Sequence, residues 1–137
     1  MFERIIKTAE NNGLTAKEQS IQTGYFYNGK DNGYIYPCIT FICDRDIPGK
    51  DLAKQLEMIA KIAKRNKLVK IDSGLTFNYW YMRFTTKENS EKSKEAYGKY
   101  IRFSEGFWNK RHNNASATQD ELIAAGNENL IKYGYTI

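Results

Sequence analysis

The chain has 137 residues, 41% of them apolar and 14% aromatic, with only two prolines and two cysteines. That composition can bury a core without disulfides or a structural metal, and it excludes a disordered polymer or a disulfide scaffold. The formal charge is +5, distributed as −1 over residues 1–48, +5 over 49–70 and +1 over 71–137, so one short segment carries the whole excess.

The longest apolar run, around Ile35 to Cys43, is interrupted by Pro37 and Thr40. It falls well short of the roughly 20 residues that a membrane-spanning helix needs. The opening MFERIIKTAENNG lacks the basic, apolar and small-residue regions of a secretory signal. A cytoplasmic protein without membrane association is expected, as one α+β domain over residues 1–137. Lysine outnumbers arginine fifteen to six, with Asn and Tyr abundant, which is the usage of AT-rich genomes.

In chain order, Phe2, Ile5, Ile6 and Ala9 predict a short amphipathic helix stopped by Asn11-Asn12-Gly13. Thr15 to Glu18 has the spacing of a capping box. With the preceding helix, GLTAKEQSIQTG superficially suggests helix-turn-helix, but Gly24 to Gly29 reads as strand and turn where a recognition helix would have to follow. Residues Ile21–Tyr27 and Tyr34–Asp44 are predicted strands, joined by an Asn28–Gly33 turn rich in Asn and Gly. Cys38 and Cys43 lie five apart on the second strand, so they point to opposite faces and are expected to be reduced, buried thiols.

Gly49 to Lys70 is the strongest signal in the chain. Leu52, Leu56, Ile59, Ala60 and Ala63 recur at helical spacing, with Leu56 at the centre of the apolar arc. At about 100° per residue, Lys50, Lys54, Lys61 and Arg65 share the opposite face, and Lys64, Lys67 and Lys70 flank its end. Leu68–Ile71 then predicts a strand, Asp72-Ser73-Gly74 a turn, and Leu75–Thr85 an aromatic strand. Alternation divides the last into Leu75, Phe77, Tyr79, Tyr81 and Arg83 on one face and Thr76, Asn78, Trp80, Met82 and Phe84 on the other. One face packs on the main helix; the other must meet another layer, a partner or a ligand.

Lys87–Arg111 is predicted helical, with Gly98 or Gly106 as break points. A loop follows at Arg111–Ser116, and a Thr118–Glu121 capping box opens a last helix. The order α-β-β-α-β-β-α-α implies an antiparallel or mixed sheet of about four strands with helices packed on it.

Catalytic signals are weak. His112, the single histidine, has no carboxylate or thiol beside it in sequence, and no phosphate loop, zinc spacing or dinucleotide fingerprint is present, so no cofactor is implied. Asp44 and Asp46, with Asp72 if it converges, are the best candidates for a divalent metal site, though such residues more often cap loops. Binding signals are better. The main-helix cations Lys50, Lys54, Lys61, Lys64, Arg65 and Lys67 form one candidate surface. Lys99, Arg102, Phe107, Trp108, Lys110 and Arg111 form a second that mixes charge with aromatic rings. Phosphates release counterions on such cations, and rings can stack on unpaired bases. A solvated helix face, with Glu57 pairing to Lys61, would account for the same charges.

The leading expectation is therefore a non-enzymatic protein that binds a nucleic acid or a nucleoprotein. The second is a protein–protein inhibitor of the kind phages and mobile elements direct at host machinery, CRISPR-type defence included. The third is a small metal-dependent nuclease.

Overall fold

A computed structural model describes residues 1–24 and 33–136. The elements run α1 (Glu3–Asn11), β1 (Thr15–Thr23), β2 (Tyr34–Asp44), α2 (Gly49–Arg65), β3 (Leu68–Leu75), β4 (Tyr79–Thr86), α3 (Lys87–Asn113) and α4 (Gln119–Lys132). The fold class is α+β, in the order read from the sequence. The four strands form one sheet in the order β1-β2-β4-β3, with β4 antiparallel to both β2 and β3. No helix among the described residues is long and apolar enough to cross a membrane. Residues 28–32 of the predicted Asn28–Gly33 turn fall outside the described residues, as do Tyr25–Tyr27 of the first predicted strand.

The chain divides into two compact units, Met1–Ile21 with Tyr36–Ser90, and Gln22–Ile35 with Glu91–Ile137. In the first, α1 and α2 cover one face of the sheet. Phe2, Ala9, Leu14, Ile39, Phe41, Ile59, Ile62 and Phe84 are buried together. The register explains why: Ile39 stands opposite Phe84 and Phe41 opposite Met82, so these side chains leave the sheet on the same side. In the second unit, Phe103, Phe107, Ala117, Leu122 and Leu130 form a separate core between α3 and α4.

The structure corrects the sequence reading at several points. Thr15–Glu18 is not a helix start but the beginning of β1, with Ala16 buried and its neighbours outward. The Glu18 carboxylate does cap a helix, the preceding one: it accepts the Phe2 N–H at 3.0 Å and pairs with the N-terminal ammonium at 3.2 Å. Asp72-Ser73-Gly74 lies inside β3, past a register irregularity between Lys70 and Asp72. The turn falls at Thr76–Asn78, where the Thr76 hydroxyl accepts the Tyr79 N–H at 3.0 Å. Leu75 consequently stands opposite Trp80 and shares its face, not that of Tyr79. Gly74 faces Tyr81, whose hydroxyl would lie 2.7 Å from an added Cβ, so the glycine here accommodates the Tyr81 ring and does not make a turn.

On α2, Ile59, Ile62 and Ala63 are buried, whereas Leu56 and Ala60 are exposed. The helix is thus rotated so that Ile59, not Leu56, faces the core. The predicted breaks in α3 are absent: it is one helix of 27 residues. The first half of the predicted Arg111–Ser116 loop is its last turn. Gly98 and Gly106 serve packing instead. A Cβ on Gly98 would meet the Tyr135 hydroxyl at 2.8 Å, and one on Gly106 the Ala125 carbonyl at 2.5 Å. The Thr118–Glu121 cap forms as read, with the Thr118 hydroxyl accepting the Glu121 N–H at 3.2 Å.

These contacts set the sign of one substitution. Gly106→Ala would gain about 1 kcal/mol from helix propensity alone. The new methyl must displace backbone, however, and overpacking of this kind costs roughly 1–3 kcal/mol. A net loss of stability is expected, read as a lower urea midpoint; a raised midpoint would mean that α4 withdraws at no cost.

Candidate functional site

α2 starts after Pro48, whose extended backbone (φ −54°, ψ 141°) feeds the first turn, and it ends at Asn66, whose N–H returns to the Ile62 carbonyl at 3.1 Å. With Ile59, Ile62 and Ala63 held in the core, the opposite side must face water. Lys50, Lys54, Lys61, Lys64, Arg65 and Lys67 are all exposed there. Lys61 pairs with Glu57 at 3.6 Å, an exposed i,i+4 contact of little energetic weight. Lys64 and Arg65 also lie in the last turn, where cations offset the helix dipole. Lys67 adopts a left-handed backbone (φ 54°) at the helix exit, a position glycine usually takes.

The second predicted surface is not assembled as the sequence suggested. Lys99, Arg102 and Lys110 fall on one side of α3 at about 100° per residue, while Trp108 and Arg111 lie toward the other. Phe107 is only 4% exposed and belongs to the core, edge-to-face with Trp108 at 5.0 Å. The Arg102 guanidinium is engaged locally: it stacks over Tyr133 at 3.9 Å and bonds Glu105 at 3.0 Å. The Arg111 guanidinium donates to the Ala115 carbonyl at 3.3 Å. Trp108, Lys110 and Arg111 are exposed and Lys99 is half-buried. These residues and those of α2 belong to different compact units.

The candidate metal-binding carboxylates have other engagements. An Asp44 carboxylate oxygen accepts the Asp46 N–H at 2.9 Å, a turn contact. Both oxygens of Asp72 are taken by Arg83, through Nε at 2.7 Å and through Nη2. Among the described residues no group of three or more His, Cys, Asp or Glu could hold a metal ion. His112 sits exposed in the last turn of α3. Cys38 and Cys43 are free and buried, and burial pushes both thiols up from their ordinary pKa.

The Arg83 hydrogen bonds hold the Asp72 carboxyl below the usual carboxylate range. A carboxylate whose pKa is depressed on folding contributes stability that is present above its unfolded value, about 3.9. That contribution is lost as pH falls through the lower folded value. Asp72→Asn should therefore flatten the loss of stability below about pH 4, measured by urea midpoints at a series of acid pH values. An acid limb as steep as the wild type's would show that the pair does not stabilise the fold.

Between α2 and β3–β4 lies an open groove of about 550 Å³, lined by Leu52, Leu56, Lys70, Ser73, Trp80 and Met82 together with Gly74 and Tyr81. Leu56 is 38% and Trp80 40% exposed, and Leu75 and Phe77 are exposed as well. The two-sided apolar pattern of β4 is the sequence signal for this surface, whereas periodicity places Leu56 in the core and so conceals the groove. On the opposite face of the sheet, Gln19, Thr40, Tyr79, Tyr81 and Arg83 surround a smaller polar recess of about 190 Å³.

Comparison with protein-family models, with curated proteins and with solved structures gave no match.

Proposed function

We propose that the chain is a binding protein without catalytic function, and that it recognises a nucleic acid, free or within a nucleoprotein, through the cationic face of α2. The observation that carries this reading is the exposure of six Lys and Arg side chains along one side of a single rigid helix and its exit. At 1.5 Å rise per residue, Lys50 and Arg65 are about 22 Å apart along the axis. Duplex DNA presents one negative charge per about 1.7 Å of its own axis, so several phosphates fall within reach of the row.

Labelled duplexes and single strands, titrated by fluorescence anisotropy across a range of salt, test the reading. Affinity should fall linearly on a log–log scale, with a slope of about −0.9 per neutralised phosphate on duplex and about −0.7 on single strands. Absence of binding at low salt, or binding indifferent to salt, would remove phosphate as the ligand.

The second reading, an inhibitor of a host protein, is favoured by the groove between α2 and β3–β4, whose apolar lining phosphate recognition does not require. A metal-dependent nuclease built on Asp44 and Asp46 could draw on Asp72 as a further ligand only if that carboxylate were free, and the bidentate contact with Arg83 weighs against that.

A further inference from the structure

We propose that the groove between α2 and β3–β4 is a docking site for an acidic amphipathic helix of a partner protein. Its lining is dominated by Leu52, Leu56, Trp80 and Met82, side chains that offer dispersion and desolvation but almost no hydrogen bonding. Leu56 and Trp80 remain 38% and 40% exposed in the folded chain, and about 550 Å³ of largely apolar concavity stands open to solvent. A groove lined by partly exposed Leu and Trp side chains from a helix and a neighbouring sheet is the kind of surface into which the i, i+3/i+4, i+7 apolar row of a helix inserts.

Charge decides which helix. The lining contains Lys70 and no carboxylate. Leu52, Leu56, Ala60 and Lys64 follow one another at four-residue spacing along α2, so they form one ridge. Ala60 and Lys64 are exposed, and the apolar stripe therefore runs along the helix into a cation at its C-terminal end. A ligand helix that filled the groove would bring its flanking residues against Lys64 and Lys70. Asp or Glu there would complete pairs, whereas Lys or Arg would face like charge.

An unstacked nucleobase is the competing occupant, because Trp80 could stack on it. The rest of the lining disfavours it. A base seated there would turn its exocyclic and ring polar groups toward Leu52, Leu56 and Met82, with the Ser73 hydroxyl and the Lys70 ammonium as the main donors nearby, and polar groups left unpaired on burial are costly.

The inference does not depend on α2 binding phosphate, and its test separates the two. A display library of random peptides of about four helical turns, roughly 15 residues, is selected on the intact chain. Recovered peptides are then titrated while Trp80→Phe serves to assign the change in indole emission. The expected result is enrichment of sequences with apolar residues at helical spacing flanked by Asp and Glu. Leu56→Asp and Lys70→Glu should each weaken these peptides by about tenfold or more, as loss of an interface anchor does. Both positions are exposed or rim-lying, and circular dichroism checks that each variant folds. Nucleic-acid binding by Leu56→Asp should remain close to wild type. No enrichment, enrichment of basic or non-amphipathic sequences, or unchanged affinity in both variants would overturn the proposal. So would a short oligonucleotide that shifts the Trp80 emission and loses affinity in Leu56→Asp, which would assign the groove to a base.

Discussion

Changing Lys54, Lys61 and Arg65 together to Glu is expected to reduce nucleic-acid affinity by orders of magnitude while leaving the fold in place. On the proposed reading, each substitution removes a phosphate contact and puts a negative charge where a phosphate would lie. Three lost contacts on duplex should make the log–log salt slope shallower by about 2.7. The cost to stability is small by comparison. Exposed substitutions away from special features usually stay within about 0.5 kcal/mol, Lys61→Glu adds a like-charge pair with Glu57 worth about 0.2–0.5 kcal/mol, and Arg65→Glu opposes the helix dipole in the last turn by about 0.3–1 kcal/mol. All three side chains are exposed, and of the three Lys61 makes an ion pair, with Glu57. A urea titration beside the binding titration therefore separates folding from recognition in one variant. If the variant folds and binds nucleic acid as the wild type does, the cations of α2 serve solubility, and a partner docking in the groove becomes the leading function.

The largest expected loss of stability belongs to Phe41→Ala, at about 3–5 kcal/mol. Phe41 is fully buried, packs edge-to-face on Phe84 at 5.7 Å, and sits in the cluster that joins α1, α2 and the sheet. Against a total of about 5–15 kcal/mol for a typical protein, that loss brings the variant close to unfolding. Leu56→Ala is the instructive contrast. Read from periodicity alone, Leu56 is the centre of the apolar arc and its truncation should cost about 2–5 kcal/mol. At 38% exposure on the edge of an open groove, it has less apolar surface to lose, and about 1 kcal/mol or less is expected. The two urea midpoints, measured together, decide how α2 is rotated. Equal losses would mean that the groove is filled in solution by Leu56 itself.

The order of elements was legible in the sequence because each rests on local physics. The bounds of β2 and the start of α2 are set by short-range patterning, and the Thr118–Glu121 cap by a hydroxyl and an N–H three residues apart. The segregation of positive charge onto one face of α2 is likewise a property of spacing, since a helix that buries Ile59, Ile62 and Ala63 must present Lys50, Lys54 and Lys61 on its far side.

Tertiary structure decided what local patterns leave degenerate. A Thr-x-x-Glu spacing fits a helix start or a strand, and Ala16 burying into the core made it a strand, freeing Glu18 to cap α1 from across the chain. Glycine breaks a helix or lets another approach, and at Gly98 and Gly106 the groups of Tyr135 and Ala125 chose the second. An apolar arc of five residues on α2 is wider than the contact it makes, so the packing of α2 on the sheet, not periodicity, selected Ile59 for burial and left Leu56 at the rim. The irregularity between Lys70 and Asp72 and the later turn set the register that puts Leu75 opposite Trp80 and Ser73 opposite Met82, and Trp80, Ser73 and Met82 line the groove. Sequence spacing fixes which residues share a face of one element; which face is covered depends on the element packed against it, and that contact lies far away in the chain.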